Sequence, residues 1–401
     1  MHRFHALASV ALIALLGAPP PLPSPPRPIP DVGARCVDGG APLLGELQRV
    51  HEEQRNVGLA VGVLRGGDVA FRQDLGFADL EHEVPVSAST RFGIASVTKA
   101  FTGALVLQLV EQGRLDIDAP VAAYVDLDEG RDDIRGADDL RAPWLGTITV
   151  RHLLTHLSGL PHPSERTPEL FATHYESATS ALEAFVDVEP VTGWGGTYRY
   201  SSSNYNLLAA IIESLTARTF DVAMSEHILT PLGLSDTGFD DVLAVLPGRA
   251  RRYSFYQPWT YAESDTLYRV PSWDYSFNPG GGNMYSSLDD LLAFGGALLA
   301  PGFFSPEAWE RLYEPLAEGS RWSYGWFYYP AESDEPGESD EPTGPRLSIS
   351  GANPGLQAAL AVFPEHDVVV AVLSNAWGKN SRSAELIDVT KFARLCLGME
   401  P

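Results

Sequence analysis

The sequence predicts an α/β domain that is interrupted by a mainly helical insertion. The first observation is the order of the apolar patterns: β-like runs and a helix, then a long helical block, then more β-like runs and a closing helix. The second is composition, since 44 % of the 401 residues are hydrophobic and 20 % are charged, which is ample material for a core. We therefore place an α/β part at about 36–112 and 280–396, and a helical insertion at about 113–279.

The first 18 residues have the pattern of a signal peptide. His2 and Arg3 form a short basic start, and an apolar core at 7–16 ends in two small residues. This core is shorter than the ~20 residues that span a bilayer, so export with cleavage is favoured over a retained anchor. Residues 19–35 follow as a proline-rich linker, and the mature domain covers 36–396. We expect a periplasmic or extracellular location.

Only two cysteines, Cys36 and Cys396, are present in the chain. Disulfides persist in oxidising compartments, so an exported protein with two thiols predicts a bridge between them. The alternative interpretation is two unpaired, buried thiols.

The first α/β part is predicted to contain a helix, a hairpin and a second helix. Apolar residues at 43–50 have helical spacing, and alternating runs at 59–64 and 69–71 flank a glycine-containing turn. The second helix follows Ser96, because apolar residues of helical period reach 110 and Gly113 provides a C-terminal cap. We expect this apolar helix to be buried.

The middle of the chain contains two clear helical signals. One helix starts at Thr167-Pro168, a capping residue followed by a proline at the first helical position. The other has an apolar face between Leu207 and Leu215. Residues 246–285 are aromatic and loop-like.

The last third predicts a sheet followed by a closing helix. The predicted elements are a helix at 288–299, strands at 326–329, 347–350, 356–363 and 368–373, a turn at 364–367 and a helix at 384–396. Acidic stretches at 126–133 and 332–342 are interpreted as solvated loops rather than calcium sites, and the first lacks the glycine placement of an EF-hand.

The charge balance excludes some classes of partner. Acidic residues outnumber basic ones by 52 to 28, which gives a net charge of −24 and opposes binding to nucleic acid or anionic lipid. The chain has neither an H-E-x-x-H pair nor a Cys/His cluster, so no metal or other cofactor is expected. It also lacks the G-x-S-x-G elbow of α/β-hydrolases.

Ser96 and Lys99 form the clearest chemical signal. Positions i and i+3 share a helical face, so the Lys99 amine can reach the Ser96 hydroxyl. A serine needs a base, yet an ordinary lysine is only about 0.04 % neutral at pH 7. Burial would lower the pKa of the amine, whereas arginine does not deprotonate. The chain has three lysines, so a chance Ser-x-x-Lys pair remains the alternative.

The segment around Ser96 and Lys99 and three other segments resemble the serine β-lactamase-like hydrolases. This family includes class C β-lactamases, D-alanyl-D-alanine carboxypeptidases and related esterases. The segments are RFGIASVTKAFT at 91–102, LVEQGRLDIDAPV at 109–121, ITVRHLLTHLSGLP at 148–161 and PLGLSDTGF at 231–239. They follow the family's order over about 40–395. The resemblance implies an antiparallel sheet flanked by helices, with Ser96 as nucleophile and Lys99 as its base.

The family's second element is a tyrosine, any residue and usually an asparagine. Tyr200-Ser201-Ser202 aligns with it, which implies that the Tyr200 phenol shuttles protons. A neighbouring ammonium group would make its ionised form cheaper. Ser202 replaces the amide that could touch substrate. The alternative for Tyr200 is an ordinary packed aromatic residue.

The third element is usually Lys or His, then Thr or Ser, then Gly. Ile349-Ser350-Gly351 aligns with it, so the cation that would bind a substrate carboxylate is replaced by Ile349. This departure weighs against β-lactamase and carboxypeptidase activity more than against acyl transfer. The resemblance implies an oxyanion hole made of the Ser96 and Ala352 backbone N–H groups.

His152, His156 and Ser158 could suggest a Ser–His pair. They belong to the family's fold-bearing segment at 148–161, so we interpret them as structural.

The function predicted from all of this is an exported serine hydrolase that works through an acyl-enzyme. Its substrate would be an ester or a small amide or peptide, with a β-lactam as a further candidate. The alternative is a non-catalytic relative that binds peptidoglycan fragments or a protein partner, which the changes at Ser202 and Ile349 motivate.

Overall fold

A computed structural model describes most of the chain from residue 36 onward. The described residues are 36–127, 142–163, 168–186, 190–193, 195–257, 260, 262–300, 302–318, 320–330, 344–378 and 388–399. The predicted signal peptide, the proline-rich linker and the acidic stretch at 332–342 lie outside these ranges, as do most residues of the first acidic stretch. The predicted helix start at Thr167 lies outside them as well, and a short 3-10 helix covers Pro168–Ala172.

The strands form one large sheet and two small ones. In chain order they are β1 Gly58–Arg65, β2 Asp68–Asp79, β3 Val84–Pro85, β4 Phe92–Gly93, β5 Gly238–Phe239, β6 Tyr253–Tyr256, β7 Glu263–Arg269, β8 Met284–Ser286, β9 Trp322–Ser323, β10 Trp326–Tyr329, β11 Arg346–Asn353, β12 Leu356–Phe363, β13 Val368–Ser374 and β14 Ala376–Trp377. The large sheet has the order β3-β2-β1-β13-β12-β11-β10-β9, and every neighbouring pair in it is antiparallel.

Eleven α-helices occur among the described residues. They are α1 Ala41–Gln54, α2 Thr98–Glu111, α3 Val150–Leu154, α4 Ala178–Ala181, α5 Ser202–Thr216, α6 Phe220–Met224, α7 Thr230–Leu232, α8 Pro279–Gly282, α9 Leu288–Leu299, α10 Pro306–Leu312 and α11 Val389–Leu397. A π-helical turn at Ser225–Leu229 joins α6 to α7.

Helices cover both faces of the large sheet. On β1, the side chains of Leu59, Val61 and Val63 pack in the layer that contains α1 and α11. Ala60 and Leu64 point to the other side, into the larger core that contains α2 and α9. The same alternation continues on β12 and β13, which explains why these strands read as unbroken apolar runs. The predicted antiparallel sheet flanked by helices is confirmed.

Two parts of the chain differ from the sequence-based expectation. Strand β2 extends to Asp79, well past the predicted end at 71. The prediction stopped short because the polar residues of this strand are only half-buried near the sheet edge and give no apolar alternation. The stretch at 246–285 was predicted to be loop-like, yet it contains β6, β7 and part of β8. Strand β6 is buried, but β7 is mostly polar and exposed, so its alternation carries little apolar signal.

A disulfide joins Cys36 to Cys396 across 360 residues of sequence. It links the first 3-10 turn to α11, and both cysteines are buried in the layer shared with α1. The predicted bridge is therefore confirmed, and the alternative of two unpaired thiols is wrong.

Removing this bridge should destabilise the protein without removing its chemistry. For the double variant Cys36→Ala/Cys396→Ala we expect a loss of about 2–5 kcal/mol in the free energy of unfolding, because the open chain gains conformational entropy. Activity should persist below the unfolding transition, since the bridge lies on the opposite side of the sheet from α2. Denaturant titrations of the oxidised wild type and the variant would measure the change, and coincident transitions would contradict the expectation.

In the described part of the chain, no helix combines the length and the apolar content that crossing a bilayer requires.

Candidate active site

Ser96 lies where a short 3-10 turn, Ala95–Val97, leads into α2. Almost every residue of α2 is buried, and Phe101 stacks on Phe294 of α9 with the ring centroids 3.8 Å apart. Helix α2 ends as predicted, with Gly113 in the left-handed region just beyond it. Ala95 has φ = 43°, a conformation that costs a non-glycine residue energy and holds the next residue, Ser96, at the cleft.

The predicted contact between Ser96 and Lys99 is present. Lys99 Nζ lies 3.2 Å from Ser96 Oγ, and Lys99 is fully buried. Burial lowers the pKa of the amine well below its ordinary value. Lys99 also donates to the Gly281 carbonyl oxygen at 2.6 Å and lies 3.0 Å from Ser202 Oγ.

These contacts match the hydrogen-bonding capacity of an uncharged amine. A neutral amine has two N–H donors and one lone pair. With the donors directed to the Gly281 carbonyl and to Ser202 Oγ, the lone pair remains for the Ser96 O–H. The arrangement therefore suits Lys99 as the base for Ser96.

Tyr200, just before α5, contacts the same Ser96 hydroxyl. Its phenol donates to Ser96 Oγ at 2.7 Å, and Lys99 Nζ lies 4.9 Å from the centre of its ring. Loss of solvent raises the pKa of Tyr200 to about 12. The expected stabilisation of a phenolate is therefore wrong for the resting site. The reason is that desolvation of the phenolate outweighs the hydrogen bonds of Ser96 and Ser202, which act in the opposite direction on its pKa.

Serine hydroxyls fix the backbone around Tyr200. Ser201 and Ser203, at the start of α5, both donate to the Pro161 carbonyl oxygen at 2.8 Å. This ties the segment that ends at 161 to the residues next to Tyr200. Neither serine was singled out from the sequence.

The three residues that could suggest a Ser–His pair have other contacts. His152 Nδ1 accepts from the Thr149 backbone and closes a capping box on α3. His156 Nδ1 accepts from the Ser201 backbone, and its ring lies 4.6 Å from that of Tyr200. The Ser158 hydroxyl donates to Asn204 at 2.5 Å. The structure therefore does not bring these three side chains together as a nucleophile and its base.

Strand β11 forms one wall of the cleft. Ile349, Ser350 and Ala352 all line it, together with Ser96 and Ser202. Gly351 packs directly against the turn of the nucleophile, because a Cβ there would lie 2.3 Å from the Ile94 carbonyl oxygen and 2.7 Å from the Ser96 nitrogen. Only glycine allows this approach, and Ser96 and Ala352, whose backbone N–H groups are the predicted oxyanion donors, line the same cleft.

A methyl group at Gly351 should therefore damage catalysis. For Gly351→Ala we expect kcat to fall by about 100-fold or more, since displacing one oxyanion donor costs roughly that factor. Gly45→Ala on α1 is the matched control, because a Cβ there meets nothing within 4 Å. Steady-state kinetics on one ester would compare the two, and equal kcat values would contradict this placement of the oxyanion hole.

Sequence reasoning missed His162, which immediately follows the fold-bearing segment. Its Nε2 lies 3.2 Å from Ser202 Oγ, and its ring stacks on that of Tyr200 with the centroids 5.8 Å apart. Burial, aided by the charge of Arg199, lowers the pKa of His162 to about 4. No motif at 162 marks this position, since it depends on how the segment meets α5.

The cleft between the two lobes has a volume of about 390 Å³. Its lining combines the reacting groups with aromatic side chains, namely Ala95, Ser96, His162, Tyr200, Ser202, Asn278, Gly282, Trp322, Phe327, Tyr329, Ser348, Ile349, Ser350, Ala352 and Asn353. Within the described ranges, no cluster of three or more His, Cys, Asp or Glu side chains could hold a metal ion.

Comparisons with known proteins identify the family of the chain. A family model described as Beta-lactamase matches residues 45–394. The putative penicillin-binding protein PbpX of Bacillus subtilis (strain 168) is 26 % identical over 313 residues, covering 78 % of this chain and 69 % of that protein. The chain spans between 34 % and 69 % of the length of the first curated relatives that it matches.

Two solved structures share the fold. The penicillin-binding protein from Bacillus halodurans matches with a TM-score of 0.66 and 22 % identity, covering 82 % of this chain and 95 % of that chain. The D-amino acid amidase from Ochrobactrum anthropi SV3, solved with L-phenylalanine amide, matches with a TM-score of 0.67 and 22 % identity, covering 89 % and 97 %.

Proposed function

This chain belongs to the beta-lactamase family of serine hydrolases, and from that premise we propose an exported enzyme that forms an acyl-enzyme on Ser96 with a small neutral ester or amide. The observation that carries the proposal is the convergence of two groups on one hydroxyl. Lys99 Nζ lies 3.2 Å from Ser96 Oγ and the Tyr200 phenol lies 2.7 Å from it. One group is poised to accept a proton there and the other to donate one.

Acylation follows from these protonation states. As Ser96 Oγ attacks the carbonyl carbon, its proton passes to the Lys99 lone pair. The backbone N–H groups of Ser96 and Ala352 hold the negative oxygen of the tetrahedral intermediate. Tyr200 gives its proton to the leaving oxygen or nitrogen, and the phenolate that results recovers a proton from the Lys99 ammonium. Both groups are then neutral again.

Deacylation runs the same steps with water. Water attacks the acyl carbonyl carbon while Lys99 takes one of its protons. The tetrahedral intermediate collapses, the acid product leaves, and Ser96 Oγ regains a proton from its neighbours. No proton is gained or lost by the protein over the cycle.

The cleft wall favours a neutral, apolar substrate. Ile349 occupies the position where the family usually has a cation, and it is nearly buried at the cleft. The adjoining strands β9 and β10 add aromatic side chains to the lining, namely Trp322, Phe327 and Tyr329. Among the described lining residues there is no lysine or arginine, so a substrate carboxylate would lack a charged partner there. The D-amino acid amidase that shares this fold was solved with L-phenylalanine amide, a small amide with an aromatic side chain.

A probe and a substrate panel test the proposal together. The wild type is incubated with a fluorophosphonate, and the adduct is mapped by peptide mass spectrometry. Turnover is then compared on p-nitrophenyl acyl esters, nitrocefin and a peptide ending in D-Ala-D-Ala. We expect the adduct on Ser96 and the highest kcat/KM on neutral esters. Labelling elsewhere would refute Ser96 as the nucleophile, whereas no labelling together with no turnover of any substrate would support the non-catalytic alternative.

Export is a separate part of the proposal. It is supported by the signal-peptide pattern at 1–18 and by the disulfide, since such bridges persist in oxidising compartments. N-terminal sequencing of the protein from fractionated cells should find a mature chain that begins after residue 18 in the exported fraction. An intact N-terminus in the cytosolic fraction would contradict it.

A further inference from the structure

Ser202 lies between the base and a histidine. Its Oγ is 3.0 Å from Lys99 Nζ and 3.2 Å from His162 Nε2, and the residue is almost fully buried. Family members usually have an asparagine here, and its amide has separate donor and acceptor atoms. A serine hydroxyl has one proton, so it can donate to only one neighbour at a time, and the Tyr200 phenol is a third group that interacts with it.

The direction of this donation decides what Lys99 can do. If Ser202 donated to Lys99, it would occupy the lone pair of the neutral amine, and the amine could not accept the proton of Ser96. If Ser202 donates to His162, it accepts an N–H from Lys99, and the lone pair remains directed at Ser96, 3.2 Å away. The second direction requires a histidine nitrogen that accepts.

We infer that His162 is a positioning residue of the reaction, whose Nε2 accepts the Ser202 proton and thereby keeps the Lys99 lone pair directed at Ser96. The inference rests on the proposed function and adds a residue to its machinery. It requires the tautomer of His162 that carries its proton on Nδ1.

The surroundings of His162 keep it an acceptor. The positive group that acts on it is Arg199 before α5, the neutral Lys99 amine faces it across Ser202, and Tyr200 stacks on its ring. His156, also buried behind Tyr200, interacts with it electrostatically. Burial, aided by the charge of Arg199, lowers the pKa of His162 to about 4, so its imidazole is neutral and can accept a hydrogen bond near pH 7.

Two substitutions separate hydrogen bonding from packing. His162→Leu keeps a side chain of similar size but removes the Nε2 acceptor. His162→Gln can place an amide oxygen, which also accepts, near the position of Nε2. The rate of the first turnover of a p-nitrophenyl ester reports acylation. We expect it to fall about 10-fold to 100-fold in His162→Leu, and by less than about 5-fold in His162→Gln, with KM little changed. His82→Gln, at an exposed histidine, should leave the rate unchanged.

A double-mutant cycle tests the route through Ser202. In a Ser202→Ala background, His162→Leu should cause almost no further loss, because the two residues act as one unit. If the losses in acylation rate of the two single variants multiply in the double variant, the inference is wrong. Equal losses of this rate in His162→Gln and His162→Leu, or a change in KM alone, would also overturn it.

A measurement on the wild type keeps the inference testable if a variant fails to fold. Nitrogen NMR of the ¹⁵N-histidine protein reports the tautomer of His162, and we expect Nδ1 to carry the proton. A proton on Nε2 would overturn the inference. Failure of the wild type to acylate at Ser96 would refute the proposed function itself, whereas normal acylation in His162→Leu would refute only the role of His162.

Discussion

Lys99→Met is expected to lower kcat/KM for a neutral ester at least about 1,000-fold at pH 7, because the Ser96 hydroxyl loses the base that takes its proton. Methionine fills the space of the lysine stem without an amine. Lys99→Arg serves as a second variant, since it keeps a basic side chain that does not deprotonate, and it should be equally impaired. Initial rates of ester hydrolysis would measure both, and a loss below about 10-fold in Lys99→Met would contradict the assignment of the base.

The pH dependence of the wild type follows from the same burial. The pKa of Lys99 in the folded protein lies well below its ordinary value, so the amine is neutral, and active, above that lowered pKa. Activity should fall as pH drops through it. At the alkaline end, activity should fall only near pH 12, where Tyr200 loses the proton that it donates to the leaving group. In Lys99→Met the acidic limb that belongs to the amine should be absent from any residual activity.

The free energy of unfolding should also depend on pH through Lys99, and the direction of this dependence can be predicted. Since the folded pKa of Lys99 is depressed, the unfolded chain binds more protons between that pKa and the ordinary value of 10.5. The stability of the wild type therefore gains from this group as pH rises toward 10.5. As pH rises over this interval, the free energy of unfolding of Lys99→Met minus that of the wild type should become more negative. Denaturant titrations of both proteins at several pH values would measure this difference. This trend separates lost chemistry from lost folding.

Ser96→Ala is expected to abolish turnover, with a loss of about 10,000-fold or more in kcat, because no covalent intermediate can form without the hydroxyl. The substitution removes one oxygen atom at a partly exposed position, so the fold should be retained. Intact-protein mass spectrometry after mixing with a p-nitrophenyl ester should detect an acyl adduct on the wild type and none on the variant. Ser89→Ala, at an exposed serine, is the matched control.

Undiminished ester hydrolysis by Ser96→Ala would place the nucleophile elsewhere. Ser202 would then be the next residue to examine, because its hydroxyl lies 3.0 Å from Lys99 Nζ.

Much of the fold could be predicted because its signals are local. The predicted bounds of α9, β10 and β12 match the structure, since their apolar runs end at turn residues or capping residues. The far end of β2 and the whole of β7 were missed. Their residues are half-buried or exposed, and their pairing is decided by neighbouring strands rather than by an apolar pattern of their own.

The sequence by itself determined the Ser96–Lys99 pair, because residues three apart on a helix meet whatever surrounds them. The resemblance also aligned Gly351 with the glycine of the family's third element, while the structure supplied the steric reason for a glycine there. Only the tertiary structure decided that the Tyr200 phenol is neutral and that His162 contacts Ser202. Both depend on burial and on segments that are distant in sequence, and desolvation is a property of the packed site rather than of any residue in it.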